Sequence, residues 1–309
     1  MNISIHNNIH NNIHNNIPVQ KIKEYYNKSE LPYLIVVFVN IKYEILLANW
    51  IKFMYKCGIY DFCIVCLDML ILKKCINNNI FCIDYPIETN KNLEKLWIER
   101  TVFLKELIEN DIPIIHSDVD AVWINNPFDY IKDISNKTEE KIDIIGSQGL
   151  IFPETAFYNN SFIMCCGFYI INPTDNSKKW MNKWLYETNK AKDDQVGFNK
   201  LLTWTSINMN WKRDKVEYIK LYGKQFKIKY STQIQYGKTK NNIYPLNFAL
   251  LPMTLFQRFP IKNTIDTYDL NKLVYIKHFY TAKNENDKIK LFQDELIWDN
   301  DSIFFFTPV

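Results

Sequence analysis

Several common features are missing from this sequence. Its longest uninterrupted apolar run, Leu34 to Val39, is far shorter than the roughly 20 residues a membrane-spanning helix needs. The N-terminus is polar and lacks the apolar stretch of a secretory leader, so a cytoplasmic setting is expected. No long basic run occurs. The 37 Lys and Arg are mixed with 34 Asp and Glu, leaving a net charge of +3, and nucleic acid is not an expected partner. Glycine and alanine are scarce beside abundant Asn, Ile, Lys and Tyr. That bias reads as an AT-rich coding sequence and says nothing about function. The seven cysteines are odd in number and lie mostly in apolar stretches such as "FCIVCLD" and "IMCCGF". They are expected to be buried reduced thiols rather than a disulfide framework. Cys63 and Cys66 have C-x-x-C spacing, but inside an expected strand their side chains face opposite ways, which disfavours zinc.

What is present fits one sizeable folded unit. The 309 residues are 47% hydrophobic and 23% charged, an ordinary globular balance. Residues 1–20 begin with "IHNN" repeated three times. His6, His10 and His14 could share one helical face, but Asn is a poor helix former, so a disordered tail is expected. Residues 21–309 carry no evident linker and are read as one domain.

Leu34 to Val39 reads as a fully buried strand. Tyr43 to Cys57 has helical spacing and stops at Gly58. Phe62 to Leu67, Ile80 to Ile83 and Ile112 to His116 read as further strands, with helices over Met69 to Cys75 and Asn92 to Ile108 between them. Alternating strand and helix predicts an α/β fold with a mostly parallel sheet flanked by helices, a Rossmann-like arrangement. Ligands in such folds lie at the carboxyl ends of strands. The second half is less regular. Strands are expected at Ile142 to Gly146, Ser161 to Ile171 and Val274 to His278, and two more around Gly223. Helices are expected over Asn176 to Thr188, from Asp193 through Leu202, and over Lys288 to Leu296.

The fourth strand runs straight into Asp118-Val119-Asp120. In extended backbone, residues two apart point to the same side, which sets two carboxylates together. Such a pair repels itself unless a cation intervenes. A hard divalent ion suits oxygen ligands and often completes its shell with phosphates. A nucleotide diphosphate is therefore the expected ligand.

Several segments in order resemble a known family. They are "VVFVNIKYEILLANWI", "IVCLD", "IPIIHSDVDAVWINNPFDYI", "CCGFYIINPT", "DDQVGFN", "LLPMTLFQRFP" and "VYIKHFYTAKNENDKIKLFQDELIW". Together they resemble the nucleotide-diphospho-sugar transferases of glycosyltransferase family 77, a retaining family with a GT-A fold and an Asp-x-Asp motif. The likeness spans roughly Leu31 to Trp298. Cys165-Cys166 departs from it, standing where the family usually has Asn before Gly-Phe. Asn160 is a possible substitute for that polar contact. Phe279 after His278 departs as well.

The resemblance implies roles. Asp118 and Asp120 would bind a metal, with Asp118 also near the ribose, and His278 would supply a third ligand. An imidazole ligand favours Mn²⁺ over Mg²⁺. Asp194 and Gln195 would face the sugar or acceptor, with Asp193 capping the helix. Lys283 or Lys288 would meet the leaving diphosphate, and Arg100 would reach the donor. Asn40 and Tyr43 would form the uracil pocket. His116 reads as a supporting or core histidine. The expected activity is retaining transfer from a UDP-sugar of the galactose, xylose or arabinose class to a hydroxyl of a glycan or glycoprotein acceptor. Two alternatives stand beside it: a metal-dependent phosphohydrolase, and an inactive nucleotide-sugar-binding protein on the same scaffold.

Overall fold

The computed structural model describes residues 17–88, 93–209, 211–221, 224–261, 274–279, 285–300 and 306. The histidine repeat lies outside these residues. The chain opens with α1 (Val19–Tyr26), β1 (Leu34–Val39), a 3-10 turn (Ile41–Tyr43) and α2 (Glu44–Lys56). Next come β2 (Cys63–Cys66), α3 (Met69–Asn77), β3 (Cys82–Asp84), α4 (Glu94–Glu109), β4 (Ile114–Ser117) and β5 (Ala121–Trp123). The middle holds α5 (Phe128–Asn136), β6 (Ile144–Gln148), α6 (Glu154–Asn160), β7 (Met164–Ile171), α7 (Asp175–Ala191) and α8 (Asp194–Trp204). After these run β8 (Ile207–Asn208), β9 (Lys215–Leu221), β10 (Lys224–Tyr230), β11 (Gln235–Thr239), β12 (Asn247–Leu251), β13 (Phe256–Gln257), β14 (Ile276–His278) and α9 (Glu285–Asp294).

The central sheet has nine strands in the order β3-β2-β1-β4-β7-β6-β12-β11-β8. The expected parallel half is β3-β2-β1-β4. β7 runs antiparallel to both its neighbours, and β6 and β12 are parallel again. β4, β6 and β12 therefore end at one edge. β1 is buried at every position, as expected of a strand covered on both faces. Its side chains divide by the two-residue period between two cores. Ile35, Val37 and Val39 pack on one side, Leu34, Val36 and Phe38 on the other. Cys63 and Cys66 divide the same way, as the strand reading required, and all seven cysteines are free thiols. Gly58 takes a left-handed φ of 72° just past α2, the conformation glycine adopts most easily.

A small second sheet, β13-β14-β5, stands beside the first. It was not anticipated from the sequence, because β5 and β13 have only three and two residues. β12 was missed too, being a five-residue run too short to separate from a loop by periodicity. Both Trp50 and Trp123 donate their indole N–H to Ser117 Oγ at 3.2 Å. This bond ties α2 and β5 to the end of β4 and fixes where the chain turns. No described helix is long and apolar enough to cross a membrane.

Candidate active site

After Ser117 the chain reverses at once. The Ala121 N–H donates to the Asp118 carbonyl at 3.0 Å, so Asp118–Asp120 occupies a tight turn. The extended-backbone argument for the pair is thus corrected: a turn presents both carboxylates. Asp suits such turns because its side chain tolerates their backbone. His278 reaches the same point by strand register. β14 lies antiparallel on β5 with His278 opposite Ala121. His278 Nε2 stands 3.2 Å from Asp120 Oδ1 and 3.7 Å from Asp118 Oδ2. Ligand atoms of Asp118, Asp120 and His278 all lie within 4.8 Å of one another, and theirs is the one such cluster among the described residues. Two carboxylates and an imidazole at that spacing fit a single metal ion.

The close approach depends on Gly167. The Asp118 N–H donates to its carbonyl at 2.8 Å. A Cβ at Gly167 would fall 1.9 Å from His278 Cε1 and 2.6 Å from Asp118 Oδ2. Gly167→Ala is therefore expected to push the ligands apart and weaken metal binding by at least about tenfold. Titration of Mn²⁺ by electron paramagnetic resonance would measure this, and unchanged affinity would refute it.

Beneath the trio is a buried charge network. α4 carries Arg100, whose Nη1 donates to Asp118 Oδ1 at 2.9 Å. Its Nε and Nη2 both donate to Asp194 Oδ2, at 2.9 and 2.5 Å. Asp194 is only 2% exposed. Burial raises its carboxyl to about 6 despite the opposing pull of Arg100. Burial also pushes the Asp118 and Asp120 carboxyls up, but their cationic neighbours outweigh it. Arg100 holds Asp118 down, and Lys288 with His278 holds Asp120 well down. His116 is fully buried, lies 3.1 Å from Asp118 Oδ1 and 3.2 Å from Arg100 Nη1, and has its pKa lowered by burial. It thus contacts the Asp118 carboxylate from a fully buried position.

Lys288, on α9, forms an ion pair with Asp120, and its Nζ stands 6.0 Å over the Tyr43 ring. Asn40 Oδ1 accepts the Lys42 N–H at 3.2 Å and caps the 3-10 turn. Asp193 caps α8 through the Val196 N–H. Gln195 accepts the Cys166 N–H at 3.0 Å and donates to the Phe152 carbonyl at 2.8 Å. Lys283 lies outside the described residues. Asn160 donates to Thr203 Oγ1 at 2.9 Å, so it braces α6 against α8 and does not replace the missing motif asparagine. Cys165 stands there instead, with Sγ 3.9 Å from His278 Nδ1. Arg258 was missed altogether. It is buried, and its Nη1 donates to the His278 carbonyl at 2.7 Å. A lone Arg within the apolar run "LFQRFP" was the available signal.

His278 also sets a pH dependence. Burial and Arg258 lower its pKa, but Asp120 outweighs them and the value lies above the ordinary 6.5. In the metal-free protein this contributes stability that is full below pH 6.5 and lost as pH rises through the folded-state value. A metal-bound imidazole must be neutral, so binding displaces that proton. Below the raised pKa, affinity is expected to fall about tenfold per pH unit. Calorimetry in buffers of different ionisation enthalpy should count close to one proton released, and a count of zero would refute the link.

Residues 59–292 match the model of a family described as nucleotide-diphospho-sugar transferase. The fold is similar to that of WbbM, a bifunctional glycosyltransferase in its apo form. The TM-score is 0.50 at 10% identity, over 90% of this chain and 52% of that one. The chain therefore spans about half of WbbM. The galactosyltransferase LgtC, solved with donor and acceptor sugar analogues, gives 0.49 at 11% identity over 89% of this chain and 96% of that one. A glycosyltransferase involved in glycosylating the major capsid of PBCV-1 gives 0.40 at 8% identity over 82% and 98%. No curated protein sequence matches.

Proposed function

This chain belongs to the nucleotide-diphospho-sugar transferase family, and from that premise we propose that it is a retaining glycosyltransferase of the family 77 type. It would move a galactose-, xylose- or arabinose-class sugar from its UDP donor to a hydroxyl on a glycan or glycoprotein, within one catalytic unit over residues 21–309. The observation that carries this reading is the Asp118–Asp120–His278 cluster at the carboxyl edge of the sheet. Its mixed oxygen and nitrogen donors suit Mn²⁺ better than Mg²⁺. A cation bound there supplies countercharge for the leaving diphosphate.

The chain's own groups divide the remaining work. Lys288, which pairs with Asp120, would meet the diphosphate once a cation takes that carboxylate, with Lys283 a few residues before it. Tyr43 is partly exposed and offers a ring for the uracil to stack on, with Asn40 beside it. Arg100 orients Asp118 toward the donor. Asp194, with Gln195 next to it, would face the transferred sugar and its oxocarbenium-like charge. Among the described residues no carboxylate stands out as a covalent nucleophile, which favours internal return, in which the departing phosphate takes the acceptor's proton. The seven free thiols suit a cytoplasmic setting.

A panel of UDP-sugars with Mn²⁺ tests the proposal through UDP release, first as slow donor hydrolysis without an acceptor. One sugar class is expected to be cleaved, with the product anomer retained by NMR and activity abolished by chelation. Cys165 in place of the motif asparagine is the observation that favours the alternative, a binding scaffold without turnover. Tight donor binding with no UDP release in any acceptor mixture would select it. A phosphohydrolase would instead cleave simple phosphate esters, and such cleavage would overturn the transfer reading.

A further inference from the structure

The near-neutral total charge hides an uneven distribution. Residues 212–230 hold seven basic and two acidic residues, a net +5. The whole chain is +3, so everything outside this segment is net −2. Five basic residues and one acidic residue of this segment, a net +4, lie on the hairpin formed by β9 and β10, whose antiparallel register pairs Lys227 with Tyr218 and Lys229 with Val216. Alternation sorts its side chains. Ile228 and Tyr230 face inward and pack with Leu150, Met253 and Phe259. The outward face presents Val216, Tyr218, Lys220, Gln225, Lys227 and Lys229, all exposed. It has no carboxylate.

The hairpin is anchored at its C-terminal end. Its last residue leads into Ser231, whose N–H donates to Gln148 Oε1 at 3.1 Å, while Gln148 Nε2 donates to the Ser231 and Leu251 carbonyls at 3.0 and 2.8 Å. Gln148 and Leu251 end β6 and β12. The hairpin therefore rises from the sheet edge that carries Asp118.

We infer that this outward face docks the protein on an anionic lipid surface. Three lysines without a carboxylate partner among the described residues, one of them 5.9 Å over the Tyr218 ring, supply the attraction to acidic headgroups. Tyr218 and Val216, at 63% and 47% exposure, place an amphipathic ring and an apolar branch where headgroups meet hydrocarbon. The face is two-stranded and gathers three of the segment's seven basic residues on one side of the hairpin. A planar anionic surface meets such a face. A long nucleic acid would need a basic track that the net −2 remainder does not offer. The inference stands on the hairpin alone and does not depend on the transfer reaction.

Co-sedimentation of the full chain with phosphatidylcholine vesicles, with and without phosphatidylserine, tests it. Binding is expected only with phosphatidylserine and should weaken as salt rises. The triple substitution K220Q/K227Q/K229Q, on exposed positions, is expected to lower partitioning on the order of 100-fold with no change in thermal unfolding or donor cleavage in solution. Tyr218→Ser should lower it further without altering the salt dependence. Three results would overturn the inference: no phosphatidylserine-dependent binding at low salt, binding unchanged in the triple variant, or stronger retention on duplex DNA than on vesicles.

Discussion

Replacing Asp120 with alanine is expected to lower metal-dependent UDP release by about 10³-fold or more. Asp120 accepts from Lys288 on one side and stands 3.2 Å from His278 Nε2 on the other, so its loss removes the carboxylate shared by the cation site and the lysine. Asp120→Asn keeps the shape while halving the acceptor capacity, and it separates the two jobs. If Asp120 mainly anchors a cation, both variants should lose Mn²⁺ binding and turnover together, and excess Mn²⁺ should restore part of the asparagine variant's rate. If it mainly positions Lys288, Mn²⁺ affinity should survive while the KM for donor rises. UDP release and Mn²⁺ titration on the same preparations decide between them. Full activity in the alanine variant would sink the proposed function.

The largest effect on stability is expected at Arg100. It is buried and bridges Asp118 and Asp194. Arg100→Met leaves two carboxylates without their cation, one of them almost fully enclosed. Breaking one side of a buried ion pair costs about 3–5 kcal/mol. Urea unfolding should show a loss of that order, and a change under about 1 kcal/mol would mean that the network contributes little. Adding Asp194→Asn should recover part of the loss, because the uncompensated charge is then gone. Arg100→Lys is not expected to rescue. A single ammonium cannot donate at once to Asp118 Oδ1 and twice to Asp194 Oδ2.

The first half of the fold was legible because its strands are buried on both faces and read as continuous apolar runs. Leu34–Val39 reads as a strand covered on both faces from that alone, and it pairs in parallel with β2 as a mostly parallel sheet requires. The second half was not, because β7 turns antiparallel and β12 and β13 are short. Pairing partners across such distances leave no local trace in the residues. The carboxylate pair was legible as chemistry and misread as geometry, since a turn and a strand end look alike over three residues. His278 was placed by resemblance, and its physical cause, the pairing of β14 with β5, could not be read from spacing. Arg258 and Gly167 lay inside quoted segments but were given no role in the site. One acts by holding a backbone carbonyl and the other by having no side chain.

The β5–β14 register also bears on how the protein assembles. Lys288 and Asp120 meet across 168 residues of chain, and His278 joins the same carboxylate from the same late segment. All nine strands of the central sheet pair without that segment, so the ligand cluster is complete only when β14 is seated on β5. A cation gripping both ends would close a very long loop and bind the completed fold alone, shifting the equilibrium away from open forms as its concentration rises. The cluster would then serve as a clasp as well as a reaction centre, keeping the C-terminal elements seated for as long as metal is available.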